Sequence, residues 1–358
     1  MRVMSRSSLI EDIGEYNRVH DMFQILKSDN ETKGEFLEGF KNAPGLNLPI
    51  PDVTNSSPTL ENFTRIRRNE SMVVSFTPFS GLFNQSHYIP LSFLPLEIEF
   101  ELSTDPLENI ISKASGTYPA NNGVSEVWEL SEFKLLCDQK YFSPIYNNIF
   151  LNMMTQENGS YKIPINVYTS IYQTLLSKGP IDINISKSVH SLDRVYVSYY
   201  IPPNDATGLP SKLTKQVYLK PFNFFASPAI NGDLLRYGSS TDIKRMGLKI
   251  GSLNFPDSPL TSNSLCYYYI SKVHPKTSIA LNEYHTTKFI SLFDLERAGA
   301  DNNTLARGID TNNKNLSLTV EWPPELSENS GTNPKYVHVV MMNELMINIF
   351  NTHVDILE

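Results

Sequence analysis

The sequence is poor in cysteine, in charge and in long apolar runs, and each shortage closes off a class of protein. Two cysteines in 358 residues, Cys137 and Cys266, are too few for a disulfide framework, and they lack the CxxC spacing of a zinc or redox site. They read as buried thiols of a reducing compartment. No apolar run approaches the ~18 residues of a membrane helix. The N-terminus MRVMSRSSLIEDIGE lacks the apolar core of a secretory signal, so synthesis and retention in a cytoplasm-like place are expected. Charged residues make up only 19% of the chain, and 38 acidic against 30 basic side chains give a net charge of −8. That balance argues against a protein that wraps nucleic acid. The single basic cluster, Arg65, Arg67 and Arg68, reads as a solvated edge, and no sequence-specific nucleic-acid partner is expected.

Catalytic signatures are missing as well. "GLPSKLTK" fails both the glycine count and the spacing of a phosphate loop, and GxSxG is absent. The seven histidines (His20, His87, His190, His274, His285, His338 and His353) form neither an HxH nor an HExxH pair. His338 sits in an apolar strand and reads as a core or interface histidine. Glu97, Glu99 and Glu101 could in principle hold a cation or act as glycosidase carboxylates, but same-strand carboxylates ~7 Å apart are ordinary on a solvated sheet face. No catalytic, cofactor-binding or metal-binding residue is therefore expected, no cofactor, and no enzyme activity.

What is present points to β structure. The chain is 40% hydrophobic and 11% aromatic, with 23 prolines and 17 glycines spread along it and a polar remainder rich in Asn, Ser and Thr. Ser8-Leu9-Ile10-Glu11 reads as a capping box, predicting an amphipathic helix to about Leu26. An extended, proline-containing arm follows, and a lone helix on such an arm needs a partner surface for its apolar face. Strands are expected at 72–76, 96–102, 127–136, 161–167, 181–185 and 194–201. After the Pro202–Pro210 linker they are expected at 217–219, 244–250, 265–270, 287–292, 316–322 and 336–342, with a last run at "HVDIL". Short helices are expected within 141–154 and 167–177, Trp128 and Trp322 in the core, and "NFPDSP" (254–259) as a turn. The expected architecture is mainly β: two tandem antiparallel β-sandwiches with an N-terminal helical arm. The boundaries are 1–57 for the arm, 58–203 for the first sandwich and 204–358 for the second.

One stretch, "GLFNQSHYIPLSFLPLEIEFELS" (81–103), combines two characters. From Leu96 to Leu102 apolar and acidic residues alternate with period two, while Tyr88–Pro95 is aromatic and apolar on both faces. A sticky segment of that kind suits a contact within or between subunits better than the surface of an isolated monomer.

Taken in order, several segments resemble the double jelly-roll major capsid proteins of DNA viruses, in the polinton-like, adintovirus and virophage branch. Residues 81–103 resemble early strands of the first jelly roll. "INISKSVHSLDRVYVSYYI", with Ser188, Leu192 and Arg194 at typical places, resembles its closing hairpin. "FISLFDLERAGADNNTLARGIDTNNKNLSLTVEW" and "YVHVVMMNELMINIFNTHVDILE" resemble the end of the second. The likeness spans roughly residues 60–358 and rests on diffuse packing patterns. It implies a homotrimer of pseudo-hexameric outline tiling an icosahedral virion shell, with no catalytic residues. It also implies as partners the neighbouring capsomers and minor capsid or penton proteins, and leaves open whether an internal membrane lies under the shell. The alternative from a different class is a two-sandwich carbohydrate-binding or adhesion protein, with Tyr267-Tyr268-Tyr269 as an exposed aromatic platform.

Overall fold

The computed structural model describes residues 1–27, 71, 73–85, 88–102, 129–156, 160–174, 181–200, 224, 243–277, 279–286, 288–296, 308–321, 336–350 and 354–357. The Pro202–Pro210 linker, the Arg65–Arg68 cluster, Trp128, Trp322, His87, His353 and the 217–219 strand lie outside them.

The protein is mainly β, and the named strands among the described residues pair antiparallel. The chain opens with a hairpin, β1 (Arg2–Ser5) and β2 (Ser8–Asp12), whose β1 also pairs with β3 (Glu97–Glu99). Arg6 and Ser7 both take positive φ, 46° and 72°, as a two-residue hairpin turn of matching twist requires. This turn overrides the expected capping box. Arg-Ser lacks the Asn-Gly signal of such turns, and Ser8 opens a strand instead of capping a helix. The helix α1 begins only at Tyr16 and ends at Leu26, preceded by Glu15 at φ 46°.

Two larger sheets carry the body. The first, in the order β5-β10-β7-β8, joins β5 (Ile181–Ile185), β10 (Leu316–Glu321), β7 (Arg245–Ile250) and β8 (Leu253–Leu260). Leu316, Leu318 and Val320 are buried in alternation and lie opposite Ile185, Ile183 and Ile181 on one side. On the other side they meet Ile250, Leu248 and Met246, so the period of two produces an unbroken apolar row across three strands.

The second sheet is organised around β11 (Tyr336–Phe350), which is buried at nearly every position. A strand buried on both faces in this way needs neighbours on both edges and both faces. Along one edge it pairs for all 15 residues with β4 (Ser160–Thr174). The other edge is shared between β6 (Leu192–Tyr200) over its first half and β12 (Val354–Leu357) over its second, and β6 continues to β9 (Ser291–Asp294).

Strand pairing therefore crosses the expected boundary at 203/204: β5 pairs with β10, and β11 lies between β4 and β6. Nor is the N-terminal segment a detached arm. Met1, Val3, Ile10, Ile13, Val19 and Met22 are buried in the same apolar core as Leu192, Leu318 and Ile347. Phe23 packs on Phe79, Tyr168 and Tyr196 with ring centroids 4.3, 5.0 and 4.9 Å away. The Arg18 guanidinium lies 3.5 Å from the Tyr200 ring centroid. Each fully buried side chain of this size contributes ~1.5–3 kcal/mol, so α1 belongs to the fold.

Other elements differ from expectation for local reasons. The 265–270 strand is a helix, α4 (Asn263–Val273), whose N-cap Ser262 accepts a hydrogen bond from Leu265 N at 3.1 Å. Residues 167–174, expected to be helical, extend β4, and "NFPDSP" lies within β8. Helices α2 (Gly81–Asn84), α3 (Pro144–Gln156) and α5 (Leu281–Thr286) complete the described set. The 73–76 and 129–136 portions of two expected strands enter no ladder among the described residues.

Candidate assembly surface

Residues 129–143 run without regular structure into α3, and every residue from 129 to 149 is exposed. Among the charged Glu129, Glu132, Lys134, Asp138 and Lys140 the segment exposes large apolar side chains. Phe133 is 78% exposed, Leu136 87% and Tyr141 90%. On α3, PIYNNIFLNMMTQ contains no charged residue, and Ile145 and Tyr146 are 69% and 62% exposed. A helix whose exposed positions include Ile145, Tyr146 and Ile149 leaves apolar side chains without a covering surface. Its root is anchored: Phe150 sits 5.0 Å from Phe93 and 4.7 Å from Tyr161, centroid to centroid. Outward from that anchor an aromatic row continues through Tyr146, Phe142 and Tyr88, with spacings of 5.8 and 6.2 Å.

The same geometry divides the 81–103 stretch. Leu94 is fully buried, Ile89 and Phe93 pack partly against the core, and Tyr88 and Leu91 face outward. Glu97 and Glu99 on β3, and Glu101 just beyond it, are exposed, and Arg2 approaches Glu99 at 3.4 Å and Glu101 at 3.9 Å, with Asp12 at 3.6 Å. These carboxylates are thus a solvated, ion-paired sheet face. Phe100 and Leu102 remain exposed beside them, Phe100 edge-on to Tyr16 at 5.7 Å.

The histidines are dispersed. His20 Nε2 lies 3.4 Å from Thr77 O and 3.2 Å from Gln24, and His274 Nε2 lies 3.1 Å from the Tyr196 hydroxyl. His338 is fully buried opposite Ser198, and neither of its ring nitrogens has a hydrogen-bond partner among the described residues. Burial pushes His20 and His274 down to about 4 and His338 to about 3, the last with help from the Arg18 charge. Among the described residues no group of three or more His, Cys, Asp or Glu could hold a metal ion, and no helix is long and apolar enough to cross a membrane. Cys266 is buried, whereas Cys137 is exposed, contrary to the expectation for it. Tyr267–Tyr269 form no platform. They lie on α4, where successive side chains point ~100° apart. Tyr267 accordingly turns inward to donate to Ile279 O, while Tyr268 faces out.

Two polar clusters have no counterpart among the motifs. Glu11 on β2 is buried, accepting hydrogen bonds from Ser80 Oγ at 2.5 Å, Gly81 N at 3.1 Å and Tyr168 N at 3.0 Å. Burial raises its pKa, and these three donors oppose the rise. Gly81 is required there, since a Cβ would fall 1.4 Å from Asn166 O on β4. In β6, Arg194 bridges Asp294 at 3.5 Å and Glu296 at 2.8 Å beside buried Asp193. Burial, with the charges of Glu344 and Glu296, pushes Asp193 up to about 6. Of the residues quoted for the resemblance near this site, Leu192 is buried and Ser188 exposed. A buried acid leaves no motif in sequence; the one available signal for α3 was its lack of charge.

No family model matches this chain, and no curated protein matches it. Solved structures do show likenesses. A quasi-atomic model of the PBCV-1 virus capsid matches at 8% identity and TM-score 0.32, over 57% of this chain and 54% of that one. The Sputnik virophage structure matches at 14% identity and TM-score 0.32, over 55% and 39%. The mavirus major capsid protein matches at 12% identity and TM-score 0.23, over 54% and 41%. All three come from viruses. The matches span about half or less of those chains, and scores of this size establish no shared fold.

Proposed function

We propose that this chain is a structural protein that works by self-association, as a capsid protein of a virion, and not by catalysis. The observation that carries the reading is the set of exposed apolar side chains within residues 129–149, among them Phe133, Leu136, Tyr141, Phe142 and Tyr146, continued by Tyr88. Contiguous exposed apolar surface of this extent marks an interaction site. The sequence resemblance to double jelly-roll major capsid proteins supports a virion as the setting. It also supplies the finer form of the proposal: a homotrimer of pseudo-hexameric outline in an icosahedral shell, meeting neighbouring capsomers and minor capsid or penton proteins. Closed cyclic symmetry would give each copy of the surface a partner.

Light scattering on the purified protein tests the reading. A mass near three chains of 40.6 kDa, or larger assemblies giving hexagonal arrays in negative stain, is the expected result. A mass of one chain at every concentration and ionic strength refutes it.

A further inference from the structure

We propose that residues Phe133–Cys137 add as a strand to the edge of β5 that no described strand pairs with, in a second copy of this chain. The inference rests on the self-association reading and specifies one of its contacts. Three observations lead to it.

First, the segment has strand character without a strand partner. In extended chain Phe133, Leu135 and Cys137 share one face, and Lys134, Leu136 and Asp138 the other. It is wholly exposed and enters no ladder among the described residues. Glu132, at φ 56°, turns the chain immediately before it.

Second, β5 is an outer strand of matching form. It is five residues long, Ile181–Ile185, and pairs only with β10 among the described strands. Ile183 and Ile185 are buried and Ile181 half-buried, while Asp182 and Asn184 point outward. Phe133, Leu135 and Cys137 would extend the inner apolar row by one strand, and Lys134 would come beside the Asp182 carboxylate.

Third, the outer edges of β8 and β4 are blocked. β8, at the opposite side of the same sheet, carries Pro256 and Pro259, which have no N–H to offer a new neighbour. On β4 the Tyr168 amide is taken by Glu11, and Gly81 crowds Asn166. β5 contains no proline and one charge, and that charge is opposite in sign to Lys134. Exchange between copies gives every protomer one donated strand and one filled edge, so the occupant is this chain itself.

The test combines a charge swap with hydrogen exchange, read on the full chain. Lys134→Glu is expected to weaken association about fivefold for each contact, as like charges across a ladder do. Asp182→Lys alone should do the same, and the double variant should restore association. Leu135→Pro removes a ladder N–H from a segment that has no ladder in the monomer, so the monomer's thermal midpoint should hold while association is lost. Amides 133–137 should be protected in the assembled protein and exchange freely in dilute monomer. If the wild type assembles but all variants assemble equally well and 133–137 exchange freely, the strand donation is overturned and self-association stands. Protection of 133–137 without rescue by the double variant also overturns the β5 assignment. A wild type that is monomeric throughout overturns both.

Discussion

Glu11 Oε1 accepts a hydrogen bond from the backbone N–H of Tyr168 at 3.0 Å, so a carboxylate of the N-terminal hairpin is bound to a strand 157 residues further on. The same carboxylate holds Ser80 and Gly81, making it the tie among β2, α2 and β4. Glu11→Ala leaves three donors without their partner, each costing ~1–3 kcal/mol when buried. The expected destabilisation is at least about 3 kcal/mol by urea unfolding. Glu11→Gln keeps one acceptor oxygen and should fall between. By the same logic, removing residues 1–14 should abolish the β-type circular dichroism, since Val3, Ile10 and Ile13 leave the core with them.

The buried histidines set an acid limb. Burial depresses His20, His274 and His338 in the folded state below the ~6.5 of an exposed imidazole. Unfolding therefore takes up protons. Stability is full above about pH 6.5 and falls as the pH drops to about 4, by up to ~1.4 kcal/mol per pH unit for each ring. Urea midpoints between pH 7 and 4 should show the decline, and His338→Met should reduce its slope by about one proton.

Asp193 acts in the opposite sense. Its folded pKa is raised to about 6, so its contribution is full below the ordinary carboxylate range and is lost as the pH rises through about 6. Asp193→Asn should then stabilise the protein near pH 7.5, by up to about 2 kcal/mol, and have little effect at pH 4. An equal effect at both pH values would show that Asp193 is held ionised throughout.

The exposed row and its anchor should separate by mutation. Tyr146→Glu and Ile145→Glu alter exposed side chains, so monomer stability should change by less than about 0.5 kcal/mol while association weakens. Phe93→Asp places a charge against Phe150 in a partly buried site and should lower the thermal midpoint of the monomer itself. Scanning calorimetry beside light scattering distinguishes the two.

Association should also depend on salt. Each copy carries a net charge of −8, so repulsion between copies should hinder assembly in dilute buffer and be screened at ~0.15 M salt. Sedimentation across that range checks it.

The elements legible in sequence are those whose burial is local and periodic. β10 alternates Leu316, Leu318 and Val320 against polar neighbours, and β5 does so with its isoleucines; both were found where the period of two placed them. α3 was likewise readable as a helix from its own residues. What the sequence could not decide was pairing between distant segments, because a strand's pattern states which face is buried and not which neighbour covers its edge. The Arg6-Ser7 turn made a strand of an apparent helix start. Residues 167–174, which have no pattern of their own to commit them, became strand only because β11 offered hydrogen bonds along its full length. Glu11 shows the same limit at the level of chemistry. As a sequence symbol it fitted a capping box, and only the approach of Ser80, Gly81 and Tyr168 in the folded chain made it a buried tie. The exposed strip of 129–149 is the converse case: its residues ask for burial, and the fold of one chain leaves them uncovered.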